Sequence, residues 1–352
     1  MLTLQDNVFN ARQPRHRPKL KLWRYAGLML TYRCNAACRF CYYTCGPQGQ
    51  GLMPVDTAIL SWQGLVRIAG DDAKVHITGG EPFLYFDRLS EICDTARKLG
   101  LAPVDVIETN AGIWESRTDL IDKLRFLDAC GLNRLKISWD AFHEEFVEVE
   151  RVRQFVAIAR EVLGAERVLV RWEKYLDNPT GIRQMARQQQ NAVLLSALET
   201  DPCRFTGRAA ELLAPLALRF TPEQLQERCC QNALLGAKGI HIDPYGNVFS
   251  GQCSGMSVGN VNQTPLDVLW TAFEPDRMEF WRLLYEKGPS GLLESAAQQG
   301  FSPQKKYASK CHLCTDIRCF FFDKQLYSMI ISPGNCYGYP DGTDFSHSRS
   351  RD

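Results

Sequence analysis

Cys34-Asn35-Ala36-Ala37-Cys38-Arg39-Phe40-Cys41 follows directly on a β-rich run at residues 27–33. Three thiolates within these eight residues can wrap one face of a [4Fe–4S] cube and ligate three of its irons. The fourth iron then stays open, as catalytic metal sites keep a free position where structural sites close. An open iron can chelate the amino and carboxylate groups of a small molecule. Cys45 offers two alternatives: a fourth ligand that closes the cube into an electron carrier, or a ligand to zinc. The Gly-rich stretch 46–51 lacks the Gly-Lys-Ser/Thr of a phosphate loop and is expected to let the cysteine loop turn back.

Outward from this loop, β-rich and amphipathic helical runs alternate. Further strands are predicted at 74–78, 104–109, 134–139, 167–172 and 192–198. Helices are predicted at 56–69, with Asp56 as N-cap, and at 88–99, 118–130, 148–163 and 180–189. Gly100, Gly131 and Gly164 each follow a helix, where a left-handed cap is expected. Six βα units in series imply a parallel sheet with right-handed crossovers. The expected fold class is therefore α/β, a partial (β/α)6 barrel over residues 25–203. Past residue 204 the grammar changes to a hairpin around Pro244-Tyr245-Gly246-Asn247, then helices from near Thr264 and Pro275, then a cysteine-rich stretch. This reads as a small α+β module at 204–345, with a basic lead-in at 1–24 and a disordered tail at 346–352.

The chain carries 14 cysteines, and its 41 basic against 40 acidic residues leave a net charge of +1. No global field steers it to nucleic acid or an anionic membrane. Neither a span of about 18 apolar residues nor a signal-peptide core occurs, so a cytoplasmic location with reduced thiols is expected. Clustered cysteines there point to metal. Cys93 and Cys130 fall on apolar helix faces and read as core packing. Locally, Arg12, Arg15, Arg17, Lys19, Lys21 and Arg24 stand against Asp6 alone. They read as a solvated lead-in or as a docking strip for an acidic substrate segment.

Cys-x3-Cys-x2-Cys after a first strand, with the aromatic Phe40 before the last cysteine, resembles the signature of the radical S-adenosylmethionine (SAM) superfamily. Thr78-Gly79-Gly80-Glu81-Pro82 ends the second strand, Glu108-Thr109-Asn110 the third, and Ser138-Trp139-Asp140 the fourth, running on into Ala141-Phe142-His143. Polar residues at the carboxyl ends of successive parallel strands are where such sheets build active sites. The resemblance implies that Cys34, Cys38 and Cys41 hold the catalytic cluster. It also implies that Gly79, Gly80 and Glu81 bind the SAM amino group, and that Asn110, Ser138 and Asp140 are further SAM contacts. Arg171 and Glu173, on the fifth strand, are candidates for the SAM carboxylate or the substrate.

A second group resembles, more loosely, the auxiliary-cluster modules called SPASM and twitch. Cys230 and Cys253 flank the hairpin, and Cys311-x2-Cys314-x4-Cys319 follows, with Cys336 later. The Gly246-to-Cys253 spacing is long, the gap before Cys319 is short, and a terminal Cys-x3-Cys is missing. The resemblance implies one auxiliary [4Fe–4S] cluster on Cys230, Cys253, Cys311 and Cys314, with Cys319 or Cys229 as substitutes. Two clusters, or a four-cysteine zinc site, are the alternatives. Between the modules, Arg204 and Arg208 read either as a bidentate carboxylate grip or as a hinge.

The chemistry implied is reductive cleavage of SAM to a 5′-deoxyadenosyl radical, which abstracts hydrogen from a substrate. A low-potential donor of the flavodoxin or ferredoxin type would supply the electron. A peptide or protein side chain is the expected substrate, and a small metabolite in natural-product biosynthesis is the rival. Many peptide-modifying relatives carry an N-terminal leader-binding domain of about 80 residues, whereas only some two dozen precede the first strand here. Arg228-Cys229-Cys230 resembles a paired-cysteine motif of a radical SAM enzyme in arsenic-containing antibiotic synthesis, which releases a 3-amino-3-carboxypropyl radical instead; the residues after Cys230 differ. Outside catalysis stands a closed-cluster electron-transfer or metal-binding protein.

Overall fold

The computed structural model describes residues 21–226, 229–237, 239–251 and 253–339. Arg12, Arg15, Arg17 and Lys19 of the basic strip, Arg228, and the tail at 346–352 lie outside the described residues.

Five βα repeats run from β1 (Tyr25–Met29) through α1 (Val55–Ala69), β2 (Lys74–Thr78), α2 (Phe86–Lys98), β3 (Val104–Thr109), α3 (Arg117–Ala129) and β4 (Arg134–Ser138). They continue through α4 (Ala141–Glu144), α5 (Val149–Leu163), β5 (Val168–Arg171), α6 (Lys174–Asp177) and α7 (Arg187–Thr200). Strands β1 to β5 are parallel neighbours in the order 5-4-3-2-1. Alternation along each strand splits the sheet into two chemistries. Ala26, Leu28, Val75, Ile77, Ile107, Leu135, Ile137 and Val170 turn outward and join one core with Trp62 and Leu65 of α1, Ile92 of α2, Leu124 of α3 and Phe155 of α5. The residues between them turn inward and are polar. Gly100, Gly131 and Gly164 follow their helices at φ 62°, 88° and 91°. Helix α1 starts one residue earlier than expected, with Pro54 at its N-cap, which leaves Asp56 in the first turn.

The sixth strand is not where the sequence reading put it. Residues 192–198 lie inside α7, with Leu194, Ala197 and Leu198 buried at helical spacing and Leu195 left 37% exposed. A short apolar run is ambiguous between strand and helix. Here the helix formers Arg187, Gln188, Gln189 and Gln190 ahead of it, with no Gly or Pro between, extend it to 14 residues.

After α8 (Arg208–Leu212) and α9 (Gln231–Leu234), the sixth parallel strand is β6 (Gly239–Ile242), which pairs with β1 on its free side. Strands β7 (Asn247–Ser250) and β8 (Ser257–Asn260) extend the sheet antiparallel, so one eight-stranded sheet crosses the boundary expected at residues 203 and 204. Helices α10 (Leu266–Ala272), α11 (Glu279–Lys287), α12 (Ser290–Gln298) and α13 (Lys310–Asp323) complete the chain. Phe280, Leu284, Leu292, Ala296, Leu313, Ile317 and Phe321 pack them into a second core. Among the described residues no helix is long and apolar enough to cross a membrane.

Asp243 sets the hairpin and ties it to β1. Its buried carboxylate accepts from the Tyr245 and Asn247 amides at 2.9 and 2.8 Å, from Asn247 Nδ2 at 3.0 Å and from the Tyr32 hydroxyl at 3.1 Å. Asp243→Ala strands four donors. We expect the unfolding free energy to fall by about 2–3 kcal/mol in a denaturant titration, whereas Asp243→Asn retains part of the loss.

Candidate active site

The loop between β1 and α1 has almost no ladder of its own, and the rest of the chain holds it. It folds back on itself through Cys34 N–H to Gly46 O at 3.0 Å and Gly46 N–H to Tyr32 O at 3.2 Å. A Cβ at Gly49 would meet the Tyr32 carbonyl oxygen at 2.1 Å, which is why this return stretch is glycine-rich. Arg39, 2% exposed, anchors the loop to Glu145 at 2.7 Å, to Asn191 at 2.9 Å and to Gln190 at 2.8 Å.

Arg208 supplies what the sequence did not reveal. Its guanidinium donates to the carbonyl oxygens of Cys38 (2.8 Å) and Cys45 (2.7 Å), and its own amide donates to Cys41 O (3.0 Å). Gly207 ahead of it has φ 55°, and a Cβ there would meet the Tyr42 carbonyl oxygen at 2.4 Å. The pair Gly207-Arg208 is therefore a clamp on the cysteine loop rather than a carboxylate grip or a hinge. Ser254 adds a hydrogen bond to Tyr42 O at 2.7 Å, and buried Arg318 of α13 donates to Ser254 O at 2.6 Å.

Held this way, Cys34, Cys38, Cys41 and Cys45 line one cavity of about 800 Å³. Burial pushes the Cys34 thiol up to about 12, and raises Cys38 strongly. Cys41 goes the other way, to about 6, because Cys45 hydrogen-bonds to it and Arg208 lies close, outweighing its burial. Cys34 Sγ faces the Ala36 amide at 3.5 Å and Asn110 Nδ2 at 3.6 Å. Cys45 Sγ takes the Gly80 amide at 3.3 Å.

The strand ends complete the wall. Phe40, Gly79, Gly80, Asn110, Ser138, Asp140 and Arg171 all line the same cavity. Phe40 lies against Phe142 and His143, each 5.2 Å away. Glycine at 80 is required because a Cβ would meet the Arg33 carbonyl oxygen at 2.0 Å. Glu81 is placed differently from expectation. It is fully buried, does not line the cavity, and accepts from Thr109 Oγ1 (2.7 Å), Asn110 N (2.7 Å) and Phe83 N (3.0 Å). It braces β2 against β3, so Gly79 and Gly80 face the cavity through their main chain. Glu173 pairs at 2.6 Å with Arg160, away from the cavity lining. His143 is a wall residue the sequence reading quoted but did not assign. Burial would lower it, yet Asp140 at 2.9 Å raises it. The Asp-x2-His spacing at the end of the fourth strand was its signal.

The second thiol group gathers as well. Cys230 lies within electrostatic reach of Cys314, Cys253 and Cys311, and Cys253 of Cys311 and Cys314. Burial raises Cys230, Cys311 and Cys253, the last to about 11. Cys319 acts, with Cys314 and Cys253, on Arg318, and also on Tyr337, and Cys336 lies by the Tyr32 hydroxyl. Among the described residues no trio of His, Cys, Asp or Glu closes tightly enough for a single metal ion. Arg204 lines the cavity and also acts on both Cys253 and Cys311, so it stands between the two regions.

Residues 28–167 match the family model described as the radical SAM superfamily. GTP 3',8-cyclase of Synechococcus elongatus is 32% identical over 273 residues, 67% of this chain and 77% of that protein. GTP 3',8-cyclase of Limosilactobacillus fermentum is 33% identical over 137 residues, but that match spans only 38% of its length. Among solved structures, BtrN in complex with AdoMet and 2-DOIA aligns over 77% of this chain and 90% of its own, at 14% identity and a TM-score of 0.46.

Arg208→Leu is expected to lower iron and sulfide incorporation on anaerobic reconstitution severalfold, with Arg208→Lys intermediate. Iron assay and the visible charge-transfer band measure it, and circular dichroism checks that the barrel persists.

Proposed function

This chain belongs to the radical SAM superfamily, and we propose that Cys34, Cys38 and Cys41 hold its [4Fe–4S] cluster at the carboxyl end of the sheet. The observation that carries the reading is that the three thiols and the polar ends of β2, β3, β4 and β5 share one cavity wall, of a volume that suits SAM with part of a substrate. A cluster held there would supply, when reduced, the one electron that splits the sulfonium C–S bond of SAM into methionine and a 5′-deoxyadenosyl radical.

The chain's own residues prepare that event. Main-chain groups of Gly79 and Gly80 receive the SAM amino group, and Asn110, Ser138 and Asp140 orient its sugar and carboxylate, with Arg171 at the edge. Phe40, packed on Phe142, forms an apolar wall that keeps water from the reacting carbon. Arg208 and Arg39 hold the loop on which Cys34, Cys38 and Cys41 would ligate the cluster, while Cys45, on the same wall, pairs with Cys41 and the Gly80 amide.

An auxiliary [4Fe–4S] cluster on Cys230, Cys253, Cys311 and Cys314 would stand behind Arg204, placed to take an electron from a product radical. It supports a peptide or protein side chain as substrate, the habit of the SPASM and twitch enzymes that this part of the chain resembles. A small polar metabolite is the second reading, favoured by relatives whose names specify cyclisation of GTP. In either case a small low-potential electron carrier, of the flavodoxin or ferredoxin type, is the partner.

Anaerobic, reduced enzyme incubated with SAM is expected to yield 5′-deoxyadenosine by mass spectrometry, and Cys41→Ala none. The same preparation should carry about eight irons, falling by half in Cys311→Ala/Cys314→Ala. Methylthioadenosine in place of 5′-deoxyadenosine favours aminocarboxypropyl transfer, and the absence of both products contradicts the reading.

A further inference from the structure

The inner face of the sheet also carries a row of groups to which SAM cleavage gives no task. Parallel register sets Gly27 of β1 between His76 of β2 and His241 of β6. A Cβ at residue 27 would meet both imidazole rings at 2.4 Å, so only glycine leaves room for the pair. The rings lie edge to face with centroids 5.3 Å apart, and Tyr25 stacks on His76 at 4.8 Å. Two residues further along the strands, Thr78 and Lys136 both donate to Glu108, at 3.0 and 2.6 Å. All of these side chains except Gly27 line the cavity, on the side away from the cysteine loop's end of the strands.

Both imidazoles are neutral, since burial pushes His76 down to about 3 and lowers His241 too. Nδ1 of His241 faces the Gly251 carbonyl oxygen at 2.8 Å, so it carries the proton and Nε2 is left as an acceptor. Among the described residues Nδ1 of His76, in a side chain 4% exposed, has no hydrogen-bond partner. A buried polar atom without a partner is costly, and the His76 ring lines the cavity, where a ligand group that pairs with it would offset that cost.

We propose that this floor receives a neutral, hydrogen-bond-donating group of the substrate, a carboxamide or a hydroxyl, and that His76 and His241 thereby fix which C–H bond faces the cysteine loop. The Nε2 acceptor of His241 turns a carboxylate away, and the Lys136–Glu108 pair, with Glu108 held ionised at about 2 against its burial, leaves no net charge to hold an ionic group. The residues are specificity-determining, and the inference rests on the radical reading of the cavity.

Saturation-transfer NMR tests it on the reconstituted holoenzyme with SAM. The probes are N-acetylglutamine amide, myo-inositol and, as the anionic counterpart, N-acetylglutamate amide. At least one neutral probe is expected to bind, and His76→Leu or His241→Leu to weaken it at least tenfold. His76→Asn, which keeps an acceptor, restores part of that loss, with melting temperatures confirming that each variant folds. Binding of the carboxamide alone points to a peptide side chain, and binding of inositol alone to a sugar-like metabolite. The inference is overturned if no neutral probe binds, if the glutamate probe binds as well, or if both leucine variants bind unchanged. Since the readout is binding, such a failure leaves SAM cleavage intact, whereas loss of 5′-deoxyadenosine in the wild type strikes the earlier reading instead.

Discussion

The grip of Arg208 on the carbonyls of Cys38 and Cys45 is the contact on which the site depends. A loop that must present three thiols to a cavity cannot close a helix or a ladder, so its polar backbone needs partners from elsewhere. Arg208 provides them from the far side of the domain, 163 residues beyond Cys45. Arg39, Ser254 and Gly207 add to the same frame. The cysteine loop is thus shaped by segments from both halves of the chain, and the single sheet running from β5 to β8 keeps those halves in register.

The two faces of that sheet divide the work. Outward residues are aliphatic and close a core with the helices, which fixes the positions of the strand ends. Inward residues are polar at level after level, from Tyr25 and His76 through Glu108 and Lys136 to Ser138 and Arg171. A wall of that kind is poor as packing and is stabilised by pairing within itself or with a bound molecule. Glu108 and Lys136 pair with each other, whereas Nδ1 of His76 has no hydrogen-bond partner among the described residues.

Much of this was legible in the residue order. Strand alternation and post-helical glycines placed β1 to β5 because those signals are local, and residues 74–78 and 104–109 coincide with β2 and β3. The cysteine triad and the polar strand ends announced one site for the same reason: each sits at a fixed offset from a strand. What escaped was non-local or ambiguous. Residues 192–198 have no period that separates a strand from a buried helix, and β6 could be assigned to the sheet only once its pairing with β1 was known. Glu81 reads as a ligand in its motif and also accepts from Thr109 and Asn110, contacts no spacing encodes. Arg208 likewise gives no hint, in sequence, of a loop so far upstream.

The central claim is that the first cluster has one iron without a thiolate. Electron–nuclear double resonance on the reduced enzyme frozen with SAM, labelled with 15N in the amino group and 17O in the carboxylate, addresses it directly. Hyperfine coupling of both nuclei to the cluster spin is predicted. A cluster signal indifferent to SAM, with neither coupling present, would mean that Cys45 closes the cube, and would contradict the account.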